Sequence, residues 1–212
     1  MKNNLTEIVF ILDRSGSMGG LESDTIGGYN KFLNEQKSVD GEATISTILF
    51  DDRYEILHNR VDIRNVKPIT NKEYYVRGST ALYDAIGRAI DYIGSCLRQT
   101  KEEERPSKVI MVIITDGLEN SSKEYSHFVI KKMIEHQKTK YSWEFLFLGA
   151  NFDAEEFAET ISIDRSRAAT YDNSKEGVRA NFDAMCHAMF CIREPDGQLD
   201  DSWKTKIKKE KK

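Results

Sequence analysis

Three short stretches carry oxygen-bearing side chains at spacings that suggest chemistry. In "VFILDRSGSMGG" an apolar run ends in Asp13, Ser15 and Ser17; "TDGLEN" presents Asp116; and "RGSTALYD" runs through Gly78 and Ser79 to Thr80. Two carboxylates and three hydroxyls suit a hard divalent ion, Mg²⁺ or Mn²⁺, that retains some water. Zinc or a redox metal would ask for nitrogen or sulfur. Two aspartates balance a 2+ charge, while hydroxyl oxygens are neutral, weak donors. With the hydroxyls bound directly and a carboxylate acting mainly through water, the ion stays electrophilic and keeps a position open for an incoming carboxylate. Taken singly, each stretch reads as local structure. Asp-x-Ser-Gly-Ser makes a turn with Ser17 as a helix cap, Asp116-Gly117 is a turn dipeptide, and Ser79 or Thr80 is an N-cap. Only their convergence makes a site.

The elements that would bring them together follow from periodicity. "TEIVFIL" (Thr6–Leu12), "ATISTILF" (Ala43–Phe50), "KVIMVIIT" (Lys108–Thr115) and "WEFLFLGA" (Trp143–Ala150) are short apolar runs expected of strands. "DDR" before "YEILHNRV" reads as a hairpin into a partner strand, and "RAATYD" as a short last strand. Helical spacing marks Leu21 to about Val39, Thr80–Gln99, a short helix around Asp153–Ile161, and Asn173–Ile192. A further helix is expected in "SSKEYSHFVIKKMIEHQKTK", opened by a capping box of Ser121 and Glu124. Strands alternating with helices predict an α/β fold. Its sheet is doubly wound and mostly parallel, with one antiparallel edge hairpin strand and helices on both faces. In such a sheet ligands bind at the carboxyl ends of the strands, where all three polar stretches fall.

No fixed-period repeat and no Pro/Gly-rich linker divides the 212 residues, so one domain over residues 1–193 is expected. The lysine-dense tail, 194–212, is expected to be flexible. A net charge of −4 gives no basic field for nucleic acid or an anionic membrane. The apolar runs are too short to span a bilayer, and the N-terminal stretch lacks a signal-peptide pattern. Three cysteines in apolar, helix-like surroundings read as reduced thiols, and the expected location is cytoplasmic. The four histidines are scattered without ligand spacing.

Asp13-x-Ser15-x-Ser17, the later threonine of "GST" and the aspartate of "TDG" resemble the metal-ion-dependent adhesion site of von Willebrand factor type A domains. The order along the chain and the attached strand–helix units match too, over roughly residues 5 to 192. The chain resembles in particular the small, single-domain bacterial members with "ILDRSGSM" and "TDGLEN". The resemblance implies that Ser15 and Ser17 give side-chain oxygens to the ion and that Thr80 coordinates in the ligand-competent state. Asp13 and Asp116 would hold the ion directly or through ordered water. It further implies that a partner protein's glutamate or aspartate completes the shell. Ser79 replaces the frequent second glycine before the threonine. Arg14, Met18, Arg77 and Glu119 are expected on the rim a partner touches, none of them as a ligand.

The function expected is therefore a metal-dependent protein-binding module and not an enzyme. No histidine lies near the Asp13 or Asp116 loops in sequence, and Ser15 has no evident general base. An adaptor subunit of an ATPase, stress-response or signalling complex would share the site and differ in partner. A metal-assisted phosphoryl or ester hydrolase is the remaining alternative. It is disfavoured because Ser15 stands where such enzymes place a second carboxylate, and no Gly-rich Lys motif for nucleotide phosphates is present.

Overall fold

The computed structural model describes residues 1–194, 197, 199–205 and 207, with only the backbone of Asn3. Among them, six strands form one sheet: β1 (Lys2–Asp13), β2 (Glu42–Phe50), β3 (Tyr54–Asp62), β4 (Pro106–Thr115), β5 (Glu144–Ala150) and β6 (Ala168–Tyr171). Their spatial order is β3-β2-β1-β4-β5-β6, with β3 antiparallel to β2 and every other pairing parallel. The expected α/β class, with its antiparallel edge strand, is the observed one.

Alternation along the central strands sorts the core into two layers. Ile8, Phe10 and Leu12 of β1 face one layer together with Ile110, Val112 and Ile114 of β4. There they meet Tyr29 and Phe32 of α1 (Glu22–Lys37) and Phe182 and Met185 of α5 (Lys175–Arg193). Val9 and Ile11 face the other layer with Met111 and Ile113. This side is covered by α2 (Leu82–Gln99), α3 (His127–Tyr141) and α4 (Ala154–Thr160). Strands buried on both faces read as unbroken apolar runs for this reason.

One expectation is corrected. The α3 helix does not begin at a Ser121–Glu124 capping box; Ser126 is its N-cap, accepting from the Val129 N–H at 3.4 Å. The Asp84 carboxylate of α2 takes the backbone N–H groups of Lys123, Glu124 and Tyr125, each at 2.9 Å, and holds that segment as a loop. The Glu124 side chain pairs instead with Arg88. After α5, three described apolar side chains are packed. Leu199, Trp203 and Ile207 are buried in the α1/α5 layer, and the Trp203 indole donates to Ser166 O at 3.0 Å. The remaining lysine-rich positions from 208 lie outside the described residues.

A candidate metal centre at the ends of β1 and β4

β1 and β4 are neighbours in the sheet although about a hundred residues separate them, and each ends in a carboxylate loop. Asp13 is the last residue of β1, paired alongside Phe50 of β2, and Asp116 follows the last residue of β4. The crevice between them is where the chain leaves the sheet toward opposite faces, α1 on one side and α2 and α3 on the other.

The Asp13 carboxylate accepts from the Ser15 N–H at 2.7 Å and the Thr115 hydroxyl at 2.6 Å. Its backbone oxygen accepts from the Tyr74 hydroxyl at 2.7 Å. A short 3-10 turn, Gly16–Met18, then presents Ser17. Ser15 Oγ and Ser17 Oγ stand 3.0 Å apart, and Ser17 donates to Asp116 Oδ1 at 2.6 Å. Thr80 arrives from the loop before α2, anchored by the Gly16 N–H donating to Gly78 O at 3.1 Å. Gly78 sits at φ +65, a left-handed conformation that favours glycine and lets the loop turn here. Gly117 is a second close approach. A Cβ there would stand 3.2 Å from Thr80 Oγ1 and 3.4 Å from Ser17 Oγ, so both hydroxyls flank one point.

Asp13, Ser15, Thr80 and Asp116 are buried and Ser17 is exposed, which leaves the cluster open on the Ser17 side. Burial pushes the Asp13 carboxyl up from about 3.8 to about 6; the Thr115 and Ser15 hydrogen bonds offset part of this, and the nearby Asp116 adds to it. Burial also raises Asp116, against hydrogen bonds from Ser17 and Asn173. Two carboxylates held at a desolvated edge favour a cation between them.

The donor set fits a small divalent ion. Adjacent oxygens of an octahedral Mg²⁺ shell stand about 2.9 Å apart. The Ser15–Ser17 separation of 3.0 Å matches that edge, and the Ser17–Asp116 contact of 2.6 Å lies close to it. Among the described residues no three His, Cys, Asp or Glu side chains gather to hold a metal, so the convergence is one of two carboxylates with hydroxyls.

The expected rim is arranged differently. Arg14 has no exposed surface; its guanidinium turns to Asp51 at 3.2 Å and Glu55 at 2.7 Å and lies over the Tyr75 ring. Met18 is buried under the Gly16–Met18 turn. Arg77 stays partly exposed but pairs with the same Asp51. Glu119 caps α2, accepting from the Tyr83 N–H at 2.8 Å, and gathers the N–H groups of Ser121 and Ser122. The large apolar side chains exposed on these loops are Tyr75 and Leu118. Sequence reading missed Thr115, Tyr74, Asn151 and Asn173 as supports. Asn151 donates to Asp116 O at 2.9 Å and Asn173 to Asp116 Oδ2 at 3.4 Å. Thr115, just before "DG", and two asparagines just past strand ends were the available signals.

No protein-family model and no curated protein matches the chain. Solved structures do. Proximal thread matrix protein 1 from the mussel byssus aligns at 16% identity and TM-score 0.58, covering 86% of this chain and 45% of that one. The same mussel protein is also known with zinc in its MIDAS motif. Manganese-loaded TRAP from Plasmodium vivax aligns at 18% identity and TM-score 0.59, covering 81% of this chain and 70% of that one. A von Willebrand factor type A protein from Catenulispora acidiphila aligns at 13% and TM-score 0.58, covering 90% and 43%. The chain thus spans less than half the length of the mussel and Catenulispora proteins. At these identities the likeness is one of backbone architecture, and that architecture is the von Willebrand factor type A fold.

Proposed function

We propose that the chain is a metal-dependent protein-binding module. In this reading Asp13, Ser15, Ser17, Thr80 and Asp116 hold Mg²⁺ or Mn²⁺, and an aspartate or glutamate of a partner protein enters from the exposed Ser17 side. The observation that carries it is the meeting of two buried carboxylates with three hydroxyls at the crevice between β1 and β4. When bound, the ion supplies an electrophile for the partner's carboxylate. The chain's own residues fix the donors. Thr115 and the Ser15 N–H aim the Asp13 carboxylate, and Asn151 and Asn173 fix the Asp116 loop. The metal-bearing mussel and Plasmodium neighbours lend support at the level of a shared scaffold. The free Cys96, Cys186 and Cys191 favour a reducing, cytoplasmic location. No described helix is long and apolar enough to cross a membrane.

The test is an affinity capture run with Mg²⁺, with EDTA, and with Asp13→Ala in Mg²⁺. Proteins retained only by the intact chain with metal support the reading. Proteins retained equally in all three conditions refute it.

A further inference from the structure

The loop carrying Thr80 is tied on three sides. Toward β1, the Arg77 N–H donates to Arg14 O at 2.8 Å and the Gly16 N–H to Gly78 O at 3.1 Å. Toward the β2–β3 hairpin, the Ala81 N–H donates to Asp51 O at 3.0 Å. Toward the Asp116 loop the bonding is reciprocal. The Thr80 N–H donates to Asn120 Oδ1 at 2.9 Å, and the Asn120 N–H returns to Thr80 O at 3.0 Å. The contact continues into α2. The Tyr83 N–H donates to Glu119 at 2.8 Å and the Asp84 N–H to Ser122 Oγ at 3.0 Å. Asp84 in turn collects three N–H groups of the segment after Ser122. Two of the first N–H groups of α2, those of Tyr83 and Asp84, which a helix cannot satisfy itself, are thus satisfied by the loop that carries Asp116.

We infer that Asn120 is a positioning residue that holds Thr80 in register with Asp116, so that the oxygen cage is set before any ion enters. The inference rests on the metal-binding reading for its consequence, not for its geometry. Thr80 is joined by both bonds to one residue, Asn120, four positions past Asp116. It moves only if the Asp116 loop moves with it. A cage fixed in this way discriminates by size. Mg²⁺ holds six oxygens at about 2.0–2.1 Å, whereas Ca²⁺ takes six to eight at about 2.3–2.6 Å. A Thr80 locked to the Asp116 loop resists the expansion that Ca²⁺ needs.

The experiment measures hydrogen exchange at the Thr80 amide without metal, and the affinities of Mg²⁺ and Ca²⁺ by calorimetry. Wild type, Asn120→Ala and Asn120→Asp are compared, the last of which keeps the acceptor. Amides of Ile11 and Ile113 report that each variant is folded. In the wild type the Thr80 amide exchanges slowly without metal, and Mg²⁺ binds more tightly than Ca²⁺. Asn120→Ala frees that amide and lowers Mg²⁺ affinity about tenfold, as loss of a ligand's supporting partner does, with Ca²⁺ little changed. Asn120→Asp restores slow exchange and the preference for Mg²⁺. A wild-type Thr80 amide that exchanges fast until Mg²⁺ is added overturns the inference, as does an equal loss of both ions in Asn120→Ala. If the wild type binds neither ion, the metal reading falls, while metal-free exchange at Thr80 still decides whether Asn120 holds the loop.

Discussion

Replacing Asp13 with asparagine is expected to stabilise the metal-free protein and to erase its response to Mg²⁺. The Asp13 carboxyl lies at about 6 in the folded chain against 3.8 when unfolded, burial being the main cause. The folded state therefore binds the proton more tightly than the unfolded one. By linkage, stability falls as pH rises from about 3.8 to about 6 and stays lower above that range. At 1.36 kcal/mol per unit the penalty at neutral pH is about 3 kcal/mol. Asparagine carries no charge to desolvate. Its Oδ1 still accepts from the Ser15 N–H. The Thr115 hydroxyl, already within 2.9 Å of Gly117 O, turns to donate there and accepts from the new amide.

Thermal unfolding at neutral pH in EDTA should then place Asp13→Asn above wild type by roughly 6–12 °C, at about 2–4 °C per kcal/mol for a chain of this size. The gap should close as pH falls toward about 4. Mg²⁺ at about a hundred times its dissociation constant should raise the wild type by about 2.7 kcal/mol and leave the variant unmoved. A variant less stable than wild type in EDTA at neutral pH would refute the electrostatic argument. A variant that gains as much from Mg²⁺ as the wild type would refute the assignment of Asp13 to the ion.

Gly117→Ala should fold normally and bind Mg²⁺ up to about tenfold more weakly by calorimetry, because its methyl stands 3.2 Å from Thr80 Oγ1 and displaces that hydroxyl by a few tenths of an ångström. Arg14→Ala should cost about 1.5–3 kcal/mol in urea unfolding, the loss of a hydrogen bond to a charged group, since Asp51 keeps Arg77 as its partner. Arg77→Ala, whose side chain is partly exposed, should cost markedly less in the same assay. Trp203→Ala should cost about 3–5 kcal/mol by the loss of a buried indole. An unchanged stability there would mean that the segment after α5 is not part of the core.

The local character of the chain was legible in its residues. Apolar runs at Thr6–Leu12 and Lys108–Thr115 announce strands covered on both faces, and the spacing of Leu82, Ile86, Ile90 and Ile93 announces a helix, because burial acts on near neighbours with a fixed period. Asp13, Ser15, Ser17, Thr80 and Asp116 could be singled out by chemical type alone. Their meeting in space could not be read from any one stretch, since it depends on β1 lying beside β4 in a parallel sheet. Long-range partners also overruled local signals. Ser121 and Glu124 have the spacing of a capping box, yet Asp84, about forty residues earlier, offers their segment three charge-assisted hydrogen bonds, and the helix waits until Ser126. Arg14 looks like a surface charge in sequence, and only the folded hairpin supplies the carboxylates of Asp51 and Glu55 that allow it inside. Trp203 lies in a lysine-rich stretch that reads as solvated, and a partner in Ser166 together with an apolar bed on α5 draws it into the core. The sequence determined which groups were available; the tertiary structure decided which of them met, because a buried charge or polar group takes the best partner within reach and reach is set by the fold.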